Sequence, residues 1–231
     1  SVGYTSEKIH LFLAFDLGAE TGRALLGRLR GGRLESREVH RFPTRFLRLP
    51  TGLHWNLYRL HEELLRGLQL AGAAAGGRLA GLAVDTWGVD FGLLARDGSI
   101  LGLPHAYRDP RTAGAAERFY RRLPRERLYA LTGLQELPFN TLFQLEAMVR
   151  DRSPLLERAA ALLFMPDLFN HLLTGRMVTE ETIASTSQLY DTRAGAWSAE
   201  VIRALGVPAA LFQEVVPPGT RLGELDGRIA P

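Results

Sequence analysis

Apolar residues in the first third of the chain are spaced in a pattern that predicts strands around one long helix. Three apolar runs open the chain as consecutive strands: 9–16, 23–29 and 34–42. The Gly31-Gly32 pair between the second and third runs is typical of a hairpin turn. Leucines recur at helical spacing from Asn56 to about Ala75, and strand character returns at 79–85. This order predicts an α/β domain with a mixed sheet.

The rest of the chain is mostly helical in pattern. Helices are predicted at 112–131, 141–150 and 154–161, and short strands at 91–95 and 162–165. Asp167 is expected to cap a helix that ends at Gly175. The tail 205–231 is rich in proline, glycine and arginine, and its apolar residues show no clear period.

The composition excludes several kinds of nucleotide and metal site. Lys8 is the only lysine and is followed by Ile9, so a GxxxxGK[ST] phosphate loop is absent and a Schiff-base lysine is not expected. The chain has no cysteine, which excludes zinc–thiolate sites, iron–sulfur clusters and thiol nucleophiles. No GxGxxG, HExxH or GxSxG pattern occurs either.

The charge and hydropathy of the chain favour a cytoplasmic protein. The formal net charge is only +3 and the arginines are scattered, so the pI near 9.6 reflects arginine in place of lysine. The apolar run 9–15 is too short for a signal-peptide core or a membrane span. We expect no nucleic-acid partner, no membrane insertion and a reducing compartment, which the absence of cysteine fits.

The segment DLGAETGR at residues 16–23 carries the sharpest chemical pattern. Asp16 ends a buried strand, and the small residues after it let backbone N–H groups approach an anion closely. Thr21 and Arg23 add donors, and Asp16 is suited to holding Mg²⁺ beside phosphates, directly or through water. An ordinary hairpin whose aspartate caps the turn fits the segment equally well.

A second segment, VDTWGVDF at residues 84–91, interrupts two apolar strands with polar residues. Gly88 at the junction suits close approach of a ligand to the backbone, and Trp87 offers a flat wall for a sugar ring. The alternative is a tight turn with Trp87 in the core. The two carboxylates Asp85 and Asp90 favour the ligand site.

Two further clusters precede predicted helices. Arginines flank Asp109, which is suited either to clamping hydroxyl groups or to pairing with an arginine and capping the next helix. Phe139 and Asn140 stand side by side, and for them the helix-cap interpretation is favoured. His61 lies on a leucine-rich helix and is interpreted as a packing residue, and no two histidines have metal-ligand spacing.

In this order, the clusters resemble the N-terminal half of the FGGY family of carbohydrate kinases. The resemblance extends over residues 11–220, and the patterns TWGVDF and LPFNTLFQL point to the L-rhamnulose kinases within that family. Six segments carry it: DLGAETGR (16–23), VDTWGVDF (84–91), GLPHAYRDPRT (102–112), TGLQELPFNTLFQLEAM (132–148), MPDLFNHLLTGR (165–176) and TSQLYDTRAGAWS (186–198).

The resemblance implies an α/β, ribonuclease-H-like fold, as in actin and the heat-shock chaperone ATPases, with residues 1–231 as an N-terminal sugar-binding domain. It implies Mg²⁺ with ATP as cofactors and a small ketose, L-rhamnulose, phosphorylated at O1. Asp16 would lie near Mg²⁺, and the ATP phosphates would contact five residues: Ala19, Glu20, Thr21, Gly22 and Arg23. Four residues would surround the sugar: Gly88, Trp87, Asp90 and Phe139. Glu20 stands where many family members have serine or threonine, so we expect its side chain to point away from phosphate.

The resemblance also implies a catalytic residue that these 231 residues lack. The family's general base is an aspartate in a His-Asp-Thr-type segment, followed by a second domain that binds adenine, and no such segment occurs here. We therefore expect the base beyond Pro231 and no kinase activity from the isolated chain. Three alternatives stay open: a kinase for another ketose or polyol such as fuculose or xylulose, a non-catalytic sugar-binding module, and, from the pI alone, a nucleic-acid-binding protein.

Overall fold

The computed structural model describes residues 8–229, which divide into two compact units. The first unit contains the described residues up to Arg45, the segment Leu57–Trp87 and the residues from Asp226 onward. The second unit contains Phe46–Asn56 and Gly88–Leu225. The chain therefore passes from one unit to the other several times, and one of these passages falls between Trp87 and Gly88.

The strands are, in chain order, β1 (His10–Leu17), β2 (Thr21–Arg30), β3 (Arg33–Pro43), β4 (Phe46–Leu49), β5 (Gly52–Trp55), β6 (Leu79–Asp85), β7 (Phe91–Leu94), β8 (Ala161–Phe164), β9 (Thr179–Glu180), β10 (Tyr190–Asp191), β11 (Ala196–Trp197) and β12 (Val215–Val216). The α-helices are α1 (Leu57–Ala74), α2 (Ala115–Tyr120), α3 (Arg125–Thr132), α4 (Thr141–Arg150), α5 (Pro154–Arg158), α6 (Met165–Thr174), α7 (Glu181–Ala184) and α8 (Ala199–Leu205). Within residues 8–229, no helix is long and apolar enough to cross a membrane.

The first unit is a four-stranded mixed sheet with α1 packed on it. The strand order is β3-β2-β1-β6, with antiparallel pairing in the opening meander and a parallel pair between β1 and β6. Three consecutive strands followed by a helix and a parallel strand confirm the predicted mixed sheet. The element bounds agree closely because the apolar periods of these segments are strong and the Gly31-Gly32 turn is in a conformation that glycine favours, with φ of 54° and 75°.

Helix α1 approaches the sheet closely at Gly67. The apolar residues on the facing sides of the helix and of β1 are almost completely buried: Leu57, Leu60, Leu64, Leu68, Leu13, Phe15 and Leu17. A Cβ atom on Gly67 would lie 2.8 Å from the Phe15 ring and 2.9 Å from the Cβ of Ala24. Because Gly67 has no side chain, the helix backbone can lie this close to the strands β1 and β2.

The second unit is built around the antiparallel β7–β8 pair and a cluster of helices. Helices α2, α3, α4 and α8 supply half of the buried residues of its apolar core, in which Phe119, Phe143 and Phe164 are fully buried. Three small strand pairs complete the unit: β4–β5, β10–β11 and the parallel pair β9–β12. The sequence patterns predicted α4, β7 and β8 closely and missed the β4–β5 hairpin and the short elements after residue 176.

Two predictions for this unit are wrong. The helix predicted over 112–131 is divided into α2 and α3, because Pro124 has no N–H to donate and begins the second helix as its N-cap residue. Asp167 does not cap α6, since Phe164 occupies the N-cap position and Asp167 lies in the first turn. Its carboxylate accepts the Glu180 N–H at 3.1 Å instead, and burial raises the pKa of Asp167 to about 8.

The packing of α1 predicts opposite effects for two glycine-to-alanine substitutions in one helix. Gly67→Ala should lower the free energy of unfolding by about 1–3 kcal/mol, because the new methyl group meets Phe15 and Ala24. Gly72→Ala should raise it by about 0.5–1 kcal/mol, because nothing lies within 4 Å of its Cβ position and alanine is the better helix former. Urea unfolding of both variants measures the difference, and an equal gain in both would contradict the close approach at Gly67.

Candidate active site

Thr44 anchors the loop between β1 and β2 through hydrogen bonds to two backbone carbonyl groups of that loop. The buried Thr44 donates its hydroxyl to the Gly18 carbonyl at 2.6 Å and its N–H to the Glu20 carbonyl at 2.9 Å. The Gly18 N–H closes the turn on the Thr21 carbonyl at 2.9 Å. In a trans peptide the N–H points away from the preceding carbonyl, so the N–H groups of Ala19 and Thr21 face the side opposite Thr44.

This loop has the features of an anion site. Small residues and outward backbone N–H groups allow a phosphate to approach the main chain. The Glu20 side chain is exposed, and its backbone carbonyl is held by Thr44. Gly22 is buried under the Phe42 ring, which occupies the space that a side chain would need. Thr44 was missed in the sequence because it lies on a different segment and shows no local pattern.

A row of charged residues crosses the end of the sheet at Asp16. Asp16 is the register partner of Arg23 on one side and of Asp85 on the other, so these residues leave the sheet on the same face. Arg23 in turn pairs with Arg41 on β3. Asp16 forms an ion pair with Arg23, and both side chains keep about 40% of their surface exposed.

The row fits a magnesium ion that is shared with phosphate. Within residues 8–229, no group of three or more acidic or histidine side chains could hold a metal by itself. Mg²⁺ at nucleotide sites commonly takes one or two carboxylates and completes its shell with water and phosphate oxygens. Asp16, with Asp85 beside it, supplies that limited donor set.

In the second unit, Gly88, Val89 and Asp90 form a tight turn with a strained centre. The Asp90 N–H donates to the Gly88 carbonyl at 2.9 Å, and Val89 between them has a φ of +67°. An i to i+2 hydrogen bond around a positive φ marks the classical γ-turn, which is rare and strained. A β-branched residue at this φ is an outlier. Such strain is frequent at functional sites, where the surroundings hold it in place.

The Asp90 carboxylate is buried and accepts hydrogen bonds from N–H donors in three segments of the chain. Trp55 Nε1 donates to Oδ2 at 2.6 Å, and the Tyr107 backbone N–H donates to the same oxygen at 3.1 Å. Gln144 Nε2 donates to Oδ1 at 2.9 Å. Because Asp90 is 0% exposed, its carboxylate orders the surrounding segments and does not present an oxygen to solvent.

Aromatic rings continue from this network towards Phe139. The Trp55 and Tyr107 rings lie 6.4 Å apart, and the Tyr107 and Phe139 rings lie 5.3 Å apart between centroids. Tyr107 and Phe139 are both half-buried. Arg108 lies 5.6 Å from the centroid of the Tyr107 ring, within cation–π distance. These rings form an apolar wall that polar groups flank, as is typical of small-molecule sites.

The cluster around Asp109 has a capping role. Its carboxylate accepts the Arg111 N–H at 2.8 Å and the Leu53 N–H at 2.6 Å, so of the two alternatives for Asp109 the structure shows the cap, on a short 3₁₀ helix, Pro110–Thr112. Arg111 is half-buried and donates to Gln144 Oε1 at 2.8 Å, and burial lowers its pKa to about 10. Burial, with the charges of Arg111 and His54, also lowers the pKa of His105 to about 4, so this imidazole is neutral at pH 7.

Asn140 occupies the N-cap position of α4, but its side chain does not cap the helix. Its Oδ1 accepts the Leu137 N–H at 2.7 Å, and its Nδ2 donates to the Thr186 carbonyl at 3.2 Å. The side chain therefore fixes the loop that carries Phe139 to a distant segment of the chain. The helix-cap interpretation is correct for the position of Asn140 and wrong for its side chain.

The predicted site residues fall in both units. Asp16, the loop residues 19–23 and the half-buried Trp87 belong to the first unit, and Gly88, Asp90 and Phe139 belong to the second. Within the second unit, Gln144 links two of them, because its Nε2 also donates to the Phe139 carbonyl at 3.0 Å. His61 is half-buried on α1, and burial lowers its pKa, in agreement with the packing interpretation.

Solved structures with the same fold are sugar kinases. A gluconate kinase and a xylulose kinase, both from Lactobacillus acidophilus, each superpose with a TM-score of 0.85 at 13% sequence identity. They cover 96% and 95% of this chain, which spans 45% and 44% of theirs. At this identity the likeness shows the fold alone, the ribonuclease-H-like fold of actin and the sugar kinases.

The sequence comparisons define the family. The model of the N-terminal domain of the FGGY family of carbohydrate kinases matches residues 11–231, and the chain belongs to this family. Among curated relatives, the rhamnulokinase of Bacteroides thetaiotaomicron is 43% identical over 93% of this chain, and that of Oceanobacillus iheyensis is 38% identical over 92%. The chain spans 44% and 45% of the length of these two relatives.

The buried Asp90 network predicts a loss of stability in Asp90→Asn. Both oxygens of the Asp90 carboxylate accept hydrogen bonds from N–H groups. The asparagine amide has only one oxygen, so in either orientation its NH₂ group faces one of these N–H donors. The free energy of unfolding should fall by about 2–3 kcal/mol in urea. Asp97→Asn is the matched control, since Asp97 is an exposed turn residue, and should change it by less than about 1 kcal/mol. Equal effects in the two variants would contradict the role of Asp90.

Proposed function

We propose that this chain is part of an ATP-dependent kinase that phosphorylates L-rhamnulose at O1. The observation that carries the proposal is the identity of 35–43% to curated rhamnulokinases, which extends over nine-tenths of the chain. The substrate follows from the names of those relatives, and the experiments below test it directly.

In this proposal, the first unit binds the phosphates of ATP. The loop Ala19–Arg23 offers backbone N–H groups, which Thr44 orients by holding the carbonyls of Gly18 and Glu20. Asp16 holds Mg²⁺, with Asp85 as its neighbour in register. When bound, Mg²⁺ neutralises the charge that develops on the transferring phosphate. Arg23, now paired with Asp16, supplies a cation at the same edge of the sheet.

In the second unit, we propose that the Gly88 backbone and the Phe139 ring contact the ketose, with Trp87 adjoining Gly88 in the chain. Asp90 was expected to touch the sugar, and its complete burial supports a different role for it. We propose that Asp90 positions the γ-turn and Trp55 through its hydrogen bonds. The half-buried Tyr107 extends the apolar wall beside Phe139.

We further propose that the general base and the adenine site lie outside these 231 residues. The supporting observations are the absence of a His-Asp-Thr segment in the sequence and the 44% share of the relatives' length. The base removes the proton of the 1-hydroxyl group, and the oxygen attacks the γ-phosphorus as the bond to ADP breaks. The residues of this chain bind, orient and neutralise charge, which accounts for most of the catalysis of phosphoryl transfer.

The substrate assignment is tested with a panel of ketoses on the full-length protein. L-Rhamnulose, L-fuculose and D-xylulose are compared by ADP release, and kcat/KM should be at least about tenfold higher for L-rhamnulose. The isolated 231-residue chain, assayed in parallel, should show no turnover. A preference for another ketose would contradict the substrate, and turnover by the short chain would locate the base within residues 1–231.

The phosphate assignment predicts a selective defect in Asp16→Ala. In the full-length protein, kcat should fall at least about a hundredfold, because the metal and phosphates lose their positioning group. The affinity for L-rhamnulose, measured by calorimetry, should stay within about threefold. Asp97→Ala, which removes an exposed carboxylate from a turn, is the control and should keep full activity. Wild-type turnover by Asp16→Ala would contradict the assignment.

A further inference from the structure

The γ-turn at Gly88–Asp90 is held from both sides by two threonine hydroxyl groups. The Val89 N–H donates to Thr186 Oγ1 at 3.1 Å, and the Val89 carbonyl accepts the Thr141 hydroxyl at 2.7 Å. Val89 is 7% exposed, so neither backbone group can readily exchange its partner for water. The two threonines lie 97 and 52 residues from Val89 in sequence. The strained φ of Val89 therefore depends on tertiary contacts.

The Thr186 hydroxyl has a defined donor and acceptor role in its two hydrogen bonds. Its single proton is donated to the Ile183 carbonyl at 2.8 Å. The oxygen therefore acts only as an acceptor towards the Val89 N–H. The Asn140 side chain holds the Thr186 carbonyl at 3.2 Å, so Thr186 is anchored to the loop that carries Phe139.

The Thr186 side chain also lies directly against Gly88. A Cβ atom on Gly88 would lie 3.0 Å from the Thr186 methyl group and 3.1 Å from its hydroxyl. The Thr186 side chain thus packs on the backbone of the residue that we propose contacts the ketose. One side chain both holds the centre of the γ-turn and limits the position of its first residue.

We infer that Thr186 is a positioning residue for the ketose, which rests on the proposed function. Without its hydroxyl, the Val89 N–H has no acceptor in the turn, and a β-branched residue relaxes towards negative φ. Because Gly88 directly precedes Val89, this change in the φ of Val89 also shifts the Gly88 backbone. Displacements of this kind weaken binding at contacts that depend on fixed geometry. The effect is confined to the sugar, because the phosphate loop is held by Thr44 in the first unit.

Three substitutions at Thr186 and one control separate this role from a general loss of structure. Thr186→Val replaces the hydroxyl with a methyl group, Thr186→Ala removes it without added bulk, and Thr186→Ser retains it. Ser185→Ala is the matched control, because the Ser185 hydroxyl makes the same type of bond, to the Thr182 carbonyl at 2.7 Å, at the end of the same helix. Each variant is made in the full-length protein.

The readouts are steady-state kinetics and hydrogen exchange at the Val89 amide. In Thr186→Val and Thr186→Ala, KM for L-rhamnulose should rise at least about tenfold, whereas KM for ATP should stay within about twofold. The Val89 amide should exchange at least about tenfold faster in both variants. Thr186→Ser should restore both values to within about threefold of the wild type, and Ser185→Ala should change neither.

Several outcomes would overturn the inference. These are an unchanged KM for L-rhamnulose in Thr186→Ala, unchanged exchange at Val89, or a Thr186→Ser variant as impaired as Thr186→Val. An equal rise in KM for ATP would indicate a general structural defect and would also count against it. A wild-type protein that phosphorylates no ketose would refute the proposed function instead, and the exchange rates would still decide whether Thr186 holds the turn.

Discussion

When a carboxylate is buried, hydrogen bonds within the protein have to replace those it made with water. Asp90 accepts such hydrogen bonds from three separate parts of the chain. The donors are the indole of Trp55 on β5, the backbone of Tyr107 and the side chain of Gln144 on α4. A buried charge with a missing donor is strongly destabilising, so these segments have to meet around Asp90. The arrangement of the strained turn, the aromatic rings and the loop at Phe139 depends on this requirement.

The two units hold their candidate binding loops by different means. In the first unit, one threonine binds the carbonyl groups of a loop and leaves N–H groups facing outward, which is a backbone solution to anion binding. In the second unit, side chains hold a turn that would not persist alone, and the rings beside it supply apolar surface. Hydroxyl groups of threonine do the holding in both cases, at Thr44 and at Thr186.

The fold was predictable from the sequence where local signals are strong. The opening meander, α1 and β6 follow from regular apolar periods and a glycine turn, whereas Pro124 divided a helix that the periodicity had predicted as continuous. The candidate ligand-binding segments were also visible in the sequence, because glycines, aspartates and aromatic residues cluster there. The residues that hold these segments were not visible. Thr44 and Thr186 act over 26 and 97 residues of sequence, and a single threonine has no local pattern.

We propose that the Gly88 turn and the Phe139 ring form the ketose contact of an L-rhamnulose kinase. A crystal structure of the full-length protein with L-rhamnulose tests it most directly. We predict that the sugar lies within van der Waals contact of the Gly88 backbone and the Phe139 ring, with Val89 still at a positive φ. A sugar bound elsewhere, or a turn that relaxes to negative φ when the sugar binds, would contradict this proposal.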